Sequence, residues 1–222
     1  MIEQFVKLIP KTWLNQSGQV FYAGRLAFSR PRALYLLGLN PGGSAEDQAS
    51  ETIKWHTSRV LADFKPDWSA YRDESWQGRP DGTWGMQPRV LHLLRQLGMS
   101  PAEVPASNAI FLRSRTEALI AAEFTTLASQ CWPFHQQVIE HLQPRVILCF
   151  GQRAGNWVRG QVGARELREV FVEDNRRRWI SRLYQNDAGL RVVVATHPSR
   201  ADWTKETCDP SSLVRAALAN PG

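Results

Sequence analysis

Two apolar runs that lie far apart in the chain end in the same way, and this shared ending constrains the fold more than any other feature. Residues 34–39 are followed by Asn40-Pro41-Gly42-Gly43, and residues 192–195 are followed by Thr196-His197-Pro198-Ser199. An apolar run of this kind is typical of a buried parallel strand. Ligands of an open α/β sheet bind beyond the carboxyl ends of such strands. The pattern therefore predicts that Asn40 and His197 face one crevice.

The two motifs resemble the paired motifs of the uracil-DNA glycosylase superfamily. The first is similar to the G-hydrophobic-N-P-G motif of its mismatch-specific and single-strand-selective branches. The second is similar to the H-P-S motif, which supplies a histidine and a minor-groove loop. Two further segments fit the same order, because residues 107–112 resemble the second-strand segment and residues 143–151 resemble the third strand. The resemblance spans about residues 34–203.

The resemblance implies an α/β fold with three layers, α/β/α, around a central, mainly parallel four-stranded sheet of the uracil-DNA glycosylase type. A chain of 222 residues, 43% of them hydrophobic, is long enough for one domain with a substantial core. No linker-like segment divides it, so we expect a single domain over residues 1–222.

The sequence also suggests where the elements begin and end. The expected strands are residues 33–39, 108–112 and 145–150 and the hairpin arms 179–184 and 190–195. Ser44-Ala45-Glu46-Asp47 fits a capping box, which predicts a helix directly after the first motif. Residues 55–85 are rich in Trp, Asp, Arg, Gly and Pro, and we expect a long loop with short helical pieces there. A loop of that length in a compact domain is usually functional.

Asn40 is the first candidate for catalysis. An Asn-Pro-Gly turn is also an ordinary way to end a strand, so the pairing with the second motif gives Asn40 its functional meaning. Cleavage of the bond between a base and its sugar needs a positioned water and stabilisation of the leaving base. The resemblance implies that Asn40 holds this water. An amide activates water less than the aspartate of the fastest branch, which favours a slower enzyme or a good leaving group.

His197 is the second candidate for catalysis. A lone histidine at a strand end is usually structural, but here Pro198 and Ser199 complete the motif. The resemblance implies that His197 donates a hydrogen bond to the base oxygen as negative charge develops on it.

The base itself would be held by residues of the first motif, the second strand and the Trp-rich stretch. Asn108 can read the edge of a flipped base with its amide N–H and C=O, although a turn residue before a strand is the ordinary alternative. A flipped base needs a stacking partner, and Trp55 and Trp84 are the leading candidates among four tryptophans of this stretch. The expected substrate-binding residues are Gly38, Leu39, Pro41, Gly42, Gly43, Trp55, Trp84 and Asn108.

DNA contacts are expected on both sides of this pocket. Arg113 and Arg115 follow the second strand at the ligand edge. Pro198, Ser199 and Arg200 form the loop that enters the minor groove in the family. Arg200 departs from the leucine that is common there, but a stacked arginine can do similar work.

Charge and cysteine content limit the other options. The formal net charge of +6 is compatible with nucleic acid but does not require it. The three cysteines lie far apart, so neither a zinc site nor a four-cysteine iron–sulfur cluster is expected. We expect no metal and no cofactor. No run has the length of a membrane span and the start of the chain lacks a signal-peptide layout, so we expect a cytoplasmic monomer whose partner is DNA.

The function implied by the resemblance is that of a monofunctional DNA glycosylase, a base-excision enzyme that removes uracil or another altered base flipped out of DNA. The alternative is a catalytically idle relative, or one that traps nucleic acid covalently. The covalent branch carries an inserted histidine loop near the first motif, where this chain has only His56, and the match is poor. A third, weaker hypothesis is a nucleotide-binding enzyme on a doubly wound sheet, because a fold alone does not fix function.

Overall fold

The computed structural model describes residues 2–219, and a six-stranded sheet runs through them. Its strands are β1 (Leu34–Gly38), β2 (Ala106–Asn108), β3 (Val146–Phe150), β4 (Glu166–Val172), β5 (Ile180–Gln185) and β6 (Arg191–Ala195). In space they follow the order β2-β1-β3-β6-β5-β4. Neighbours among β2, β1, β3 and β6 pair in parallel, whereas β5 pairs antiparallel with both β6 and β4.

Helices flank this sheet. They are α1 (Ile2–Val6), α2 (Ile53–Ala62), α3 (Ala70–Asp73), α4 (Gln87–Gln96), α5 (Glu117–Ile120), α6 (Phe124–Leu142), α7 (Gln152–Gln161) and α8 (Ser211–Leu218), with 3-10 turns at Lys11–Trp13 and Glu206–Cys208. The mixed α/β architecture with a mostly parallel central sheet confirms the expected fold class. Within residues 2–219, no helix combines the length and the apolar character needed to cross a membrane.

The central strands β1 and β3 are buried at every position. Successive side chains of a strand point to opposite faces of the sheet, so burial at every position means that both faces are covered. This explains why the sequence of each strand is a continuous apolar run rather than an alternation of apolar and polar residues.

The four parallel strands form the expected centre of the sheet, and β5 and β4 extend it beyond β6 to six strands. β5 and β6 form the predicted hairpin, but β4 was not predicted. Residues 166–170 of β4 are exposed and include Glu166, Arg168 and Glu169, and the only apolar run in the strand is its last three residues, 170–172. Charged side chains are common on edge strands because they discourage pairing with another chain.

The second strand was placed too late in the sequence. β2 covers Ala106–Asn108, so Asn108 ends the strand rather than beginning it. Beyond it the Ala109 N–H donates to the Gly38 carbonyl at 2.9 Å. The following residues continue as irregular chain with an isolated bridge at Leu112.

The helix expected directly after the first motif was also misplaced. The Ser44 hydroxyl accepts the Asp47 N–H at 3.1 Å, as a capping box requires, but a series of turns follows it. The helix begins at Ile53, where the Thr52 hydroxyl accepts the Trp55 N–H at 3.1 Å. Trp55 therefore lies on the ten-residue helix α2 rather than in a loop.

The packing of α7 on β6 gives a testable prediction. A Cβ atom on Gly155 would come within 2.4 Å of Cγ1 of Val194, which is fully buried in the sheet and cannot move aside. We expect Gly155→Ala to lower the free energy of unfolding by about 1–3 kcal/mol. Gly160 lies on the same helix with nothing within 4 Å of its Cβ position, so Gly160→Ala is the matched control and should stabilise by about 0.5–1 kcal/mol. Thermal denaturation measures both, and equal stability of the two variants would contradict this packing.

Candidate active site

A cavity of about 1540 Å³ opens at the carboxyl ends of the four parallel strands. Its lining includes Asn40 after β1, Asn108 at the end of β2, Gly151 after β3 and His197 after β6. Small-molecule sites usually measure roughly 300–1,000 Å³. The cavity is therefore large enough for more than one heterocyclic ring.

The Asn40 side chain is oriented by two carbonyl groups. Its Nδ2 donates to the Pro41 carbonyl at 2.8 Å and to the Ser114 carbonyl at 3.1 Å. Both contacts require N–H groups, so the nitrogen end of the amide faces the protein and Oδ1 is the end left for the cavity. An amide oxygen only accepts hydrogen bonds, and it can therefore hold a water molecule through one of that water's protons.

The His197 ring is oriented by Ser199. Its Nδ1 lies 3.0 Å from the backbone nitrogen of Ser199 and 2.8 Å from the Ser199 hydroxyl. A backbone N–H can only donate, so Nδ1 is an acceptor and the ring proton sits on Nε2. Burial lowers the pKa of His197 to about 4, and the charge of Arg200 acts in the same direction against an opposing effect of Glu117. The imidazole is therefore neutral at pH 7 and offers an Nε2–H donor.

The turn that carries His197 is held at both ends. The Arg200 N–H donates to the His197 carbonyl at 2.9 Å, which closes the turn. The guanidinium of Arg89 donates to the Pro198 carbonyl. Beyond the turn the chain returns to the core at Trp203, which is fully buried. His197 and the exposed loop residues after it are thus presented on a fixed support.

Asn108 is 6% exposed and lines the cavity. Its Nδ2 is buried and makes no hydrogen bond of normal geometry with residues 2–219, although the Tyr22 hydroxyl lies close to this side chain. Its Oδ1 lies against Gly38, because a Cβ atom on that glycine would be only 2.0 Å away. Only glycine therefore allows Asn108 to occupy this position. A buried amide without a partner is costly unless a ligand satisfies it, and its donor and acceptor lie side by side, as the edge of a base requires.

Tryptophans form one side of the cavity. Trp55 and Trp84 are the most accessible of those that line it, with 42% and 39% of their surface exposed. The guanidinium of Arg59 lies 4.8 Å from the ring centre of Trp55, and that of Arg79 lies 4.8 Å from Trp84. Trp68 also lines the cavity but is only 5% exposed. Trp55 and Trp84 are therefore the two cavity tryptophans most open to a ligand that enters from solvent.

The three arginines expected to bind DNA have different surroundings. The Arg113 side chain is only 7% exposed, and its guanidinium donates to the Gly42 carbonyl at 2.6 Å and to Glu51 at 2.9 Å. It therefore fixes the turn of the first motif. The Arg115 side chain is 59% exposed and pairs with Asp47 at 2.9 Å, and Arg200 is exposed on its turn, so both lie where a ligand outside the cavity can meet them.

The structure brings nearly all the predicted site residues together. The cavity is lined by Gly38, Leu39, Asn40, Gly42, Gly43, Trp55, Trp84, Asn108, Arg113, Arg115, His197, Ser199 and Arg200. Pro41 and Pro198 are buried outside this lining, where their carbonyls accept the hydrogen bonds from Asn40 and Arg89.

Several lining residues were not predicted. Tyr22, Tyr71, Glu74 and Phe150 line the cavity, and His56 joins them. Phe150 ends β3, within the segment that resembles the third strand of the family, but it was not named as a site residue. Tyr22 comes from the irregular lead-in before the first strand, and no motif marks Tyr71, Glu74 or His56.

Metal-ligand side chains do not gather in this site. Within the described part of the chain, no three His, Cys, Asp or Glu side chains are grouped so that they could hold a metal ion. Cys131, Cys149 and Cys208 are free and buried.

Comparison with known families agrees with the two strand-end motifs and with the geometry of the cavity. The model of the uracil DNA glycosylase superfamily matches residues 32–219, which include both motifs and everything between them. The chain therefore belongs to the uracil DNA glycosylase superfamily, whose members act on DNA, and this membership supports a glycosylase-type function in DNA repair. No curated protein matches the chain in sequence.

The neutral state of His197 can be measured by NMR. We expect its nitrogen shifts and long-range couplings to show the Nε2–H tautomer, and its titration midpoint to lie near pH 4 rather than at the ordinary value of 6.5. The folded state then binds fewer protons than the unfolded state between these two values, so His197 makes the protein less stable as the pH falls through that range. Ser199→Ala keeps the backbone donor and should keep the tautomer. An Nδ1–H form, or titration near pH 6.5, would contradict the assignment.

Proposed function

We propose that the protein is a monofunctional DNA glycosylase that hydrolyses the N-glycosidic bond of uracil or another altered base flipped out of DNA. The observation that carries the proposal is the convergence of three uncharged polar groups on one cavity. They are the free amide oxygen of Asn40, the Nε2–H of His197 and the unpartnered amide nitrogen of Asn108.

In the proposed reaction the bond between C1′ and the base nitrogen breaks, and the base takes the bonding electrons. Negative charge develops on a base oxygen while positive charge develops on the sugar. His197 donates a hydrogen bond from its Nε2–H to that oxygen. Because this neutral donor is already in place, it needs no rearrangement as the charge forms. Water held by the oxygen of Asn40 forms the new bond to C1′. Its released proton goes to the departing base or to solvent.

Asn108 supports the choice of a nucleobase as the group that enters. Its buried nitrogen donates to a base acceptor, and its oxygen accepts from a base donor. The exposed rings of Trp55 and Trp84 supply a stacking surface for the flipped base. Arg115 and Arg200 supply positive charge next to the cavity for the DNA backbone, while Arg113 positions the turn that carries Asn40.

Removal of either catalytic group tests the mechanism. Asn40→Ala and His197→Ala should each lower the single-turnover rate of base release by roughly 100- to 1000-fold, the usual contribution of one such group. The substrates are oligonucleotides that carry uracil or one of a panel of altered bases, with abasic sites as the readout. Asn156→Ala on the exposed face of α7 is the matched control.

Melting temperatures measured on the same samples show whether each variant is folded. A full rate in either active-site variant would remove that residue from the mechanism. If the natural protein binds DNA yet releases no base from any substrate, the protein is an idle relative and the proposed activity is wrong.

Arg200 tests the proposed contact with duplex DNA. Affinity should fall as salt rises, because phosphate contacts release counterions. Arg200→Ala should weaken binding to duplex by about tenfold and to single strands less, since the side chain would fill the gap left by the flipped base. Titrations of both DNAs at two salt concentrations measure this, with Arg168→Ala on the exposed strand β4 as the control. Equal losses on duplex and single strand would exclude the gap-filling role.

A further inference from the structure

One part of the cavity is not used by the proposed mechanism. Four aromatic rings surround two polar side chains there, and this group is named the aromatic annex. It consists of Trp55, Phe64, Trp68 and Trp76 around His56 and Glu74, all of which line the cavity. His56 is enclosed by ring contacts, with centroid distances of 5.9 Å to Trp68 and 6.0 Å to Phe64.

His56 is only 5% exposed, and both of its ring nitrogens are buried with no hydrogen-bond partner among residues 2–219. A neutral imidazole carries one donor and one acceptor, so both are unsatisfied here. Such groups are normally paired because their loss of hydration is costly. His56 therefore marks a place where a ligand can supply the hydrogen-bond partners that the protein does not.

Glu74 faces this ring. One carboxylate oxygen, Oε2, accepts the indole N–H of Trp76 at 2.9 Å. The other, Oε1, lies 3.8 Å from Nε2 of His56, which is too long for a hydrogen bond. A single ligand atom can lie about 2.9 Å from both Oε1 and Nε2, which is a normal hydrogen-bond length to each. The pair is thus spaced to share one donor group of a ligand.

The charge of the annex favours a cation. Glu74 makes no ion pair with a lysine or arginine in the described part of the chain, and its side chain is 23% exposed. Arg59 lies on the annex wall, but its guanidinium covers the rings of Trp55 and Phe64 and its ion-pair partner is Asp63. Aromatic faces also attract cations, and the attraction grows when water is excluded.

The annex is continuous with the place where Asn108 lies. Tyr22 lies beside Asn108, and its ring centre is 6.0 Å from that of Tyr71. Tyr71 lies 6.1 Å from Trp76, the residue that donates to Glu74. A group attached to a base that is read by Asn108 can therefore extend along this wall.

We propose that the aromatic annex binds a protonated amine at the end of a substituent carried by the substrate base. The ammonium group donates to Oε1 of Glu74 and to Nε2 of His56, and the aromatic rings enclose it. The inference rests on the proposed glycosylase function and names the class of base on which that function acts. C5 of a pyrimidine is the position that carries such an arm, because it takes no part in base pairing and already carries the methyl group of thymine.

Matched substrates test the amine directly. Single-turnover rates and affinities are measured on oligonucleotides with uracil that carries aminomethyl or 3-aminopropyl at C5. Methyl and propyl arms control for size, and a hydroxymethyl arm tests a neutral donor. For each substrate, the single-turnover rate is divided by the dissociation constant. We expect this quotient to be about 10- to 100-fold higher for one of the amine arms than for its alkyl counterpart, as a charge-assisted hydrogen bond implies. No preference for either amine, or an equal effect of the hydroxyl, would overturn the proposal.

Variants then assign the preference to the annex. Glu74→Gln keeps an acceptor for Trp76 but removes the charge, so the ratio of amine to alkyl rates should fall at least tenfold. Glu140→Gln on α6 removes an equivalent charge outside the cavity lining and should leave the ratio unchanged. An unchanged ratio in Glu74→Gln would exclude the carboxylate as the amine partner.

His56→Phe distinguishes a ligand role from a structural one. It removes two buried, unpartnered nitrogens, so the melting temperature should rise by about 2–4 °C while the ratio of amine to alkyl rates falls. A lower melting temperature with the ratio intact would show that His56 only supports the fold. Release of uracil with no amine preference would refute only the amine-binding role of the annex, whereas release of no base at all would refute the proposed function.

Discussion

The parallel pairing of β2, β1, β3 and β6 brings the polar ends of distant segments to one edge of the sheet. Gly38 lies opposite Asn108, and Phe150 lies opposite Ala195, so the four strands end nearly level. Each strand is fixed by the apolar side chains that it buries, and the residue after its last buried position is therefore fixed as well. The site is in this sense a product of core packing, because a shift of one residue in any strand would turn its terminal side chain away from the cavity.

The groups that meet at this edge are neutral, although the protein carries a net charge of +6. Backbone carbonyls orient the amide of Asn40, and the Ser199 N–H orients the imidazole of His197. The arginines stand around the cavity or support its turns, as Arg113 does. Positive charge and hydrogen bonding are thus separated in space, with the first suited to holding a polyanion and the second to stabilising a small leaving group.

The two strand-end motifs could be located in the sequence because a buried strand requires a continuous apolar run and its end requires a turn. The roles expected of Asn40 and His197 came from the resemblance of these motifs to a known family. The helix α2 was harder to see, since its buried positions include His56 and Thr57, which weaken the apolar pattern. The strand β4 has the exposed, charged surface of an edge, and its apolar run is only three residues long. Tyr22 and Glu74 reach the cavity only through the packing of irregular segments, which no local pattern encodes.

The anchoring of the turn after β6 has a mechanical consequence. Arg89 holds it on one side, the closing bond from Arg200 to His197 fixes its shape, and Trp203 fixes the chain that leaves it. Under the proposed function, a turn held in this way would not have to be ordered when DNA binds. The bending and unstacking that accompany base extrusion would then fall on the DNA, and their cost would depend on the stiffness of the steps that flank the target base. Neighbouring sequence would thus be sensed through the elasticity of the nucleic acid, with no side chain touching those neighbouring bases.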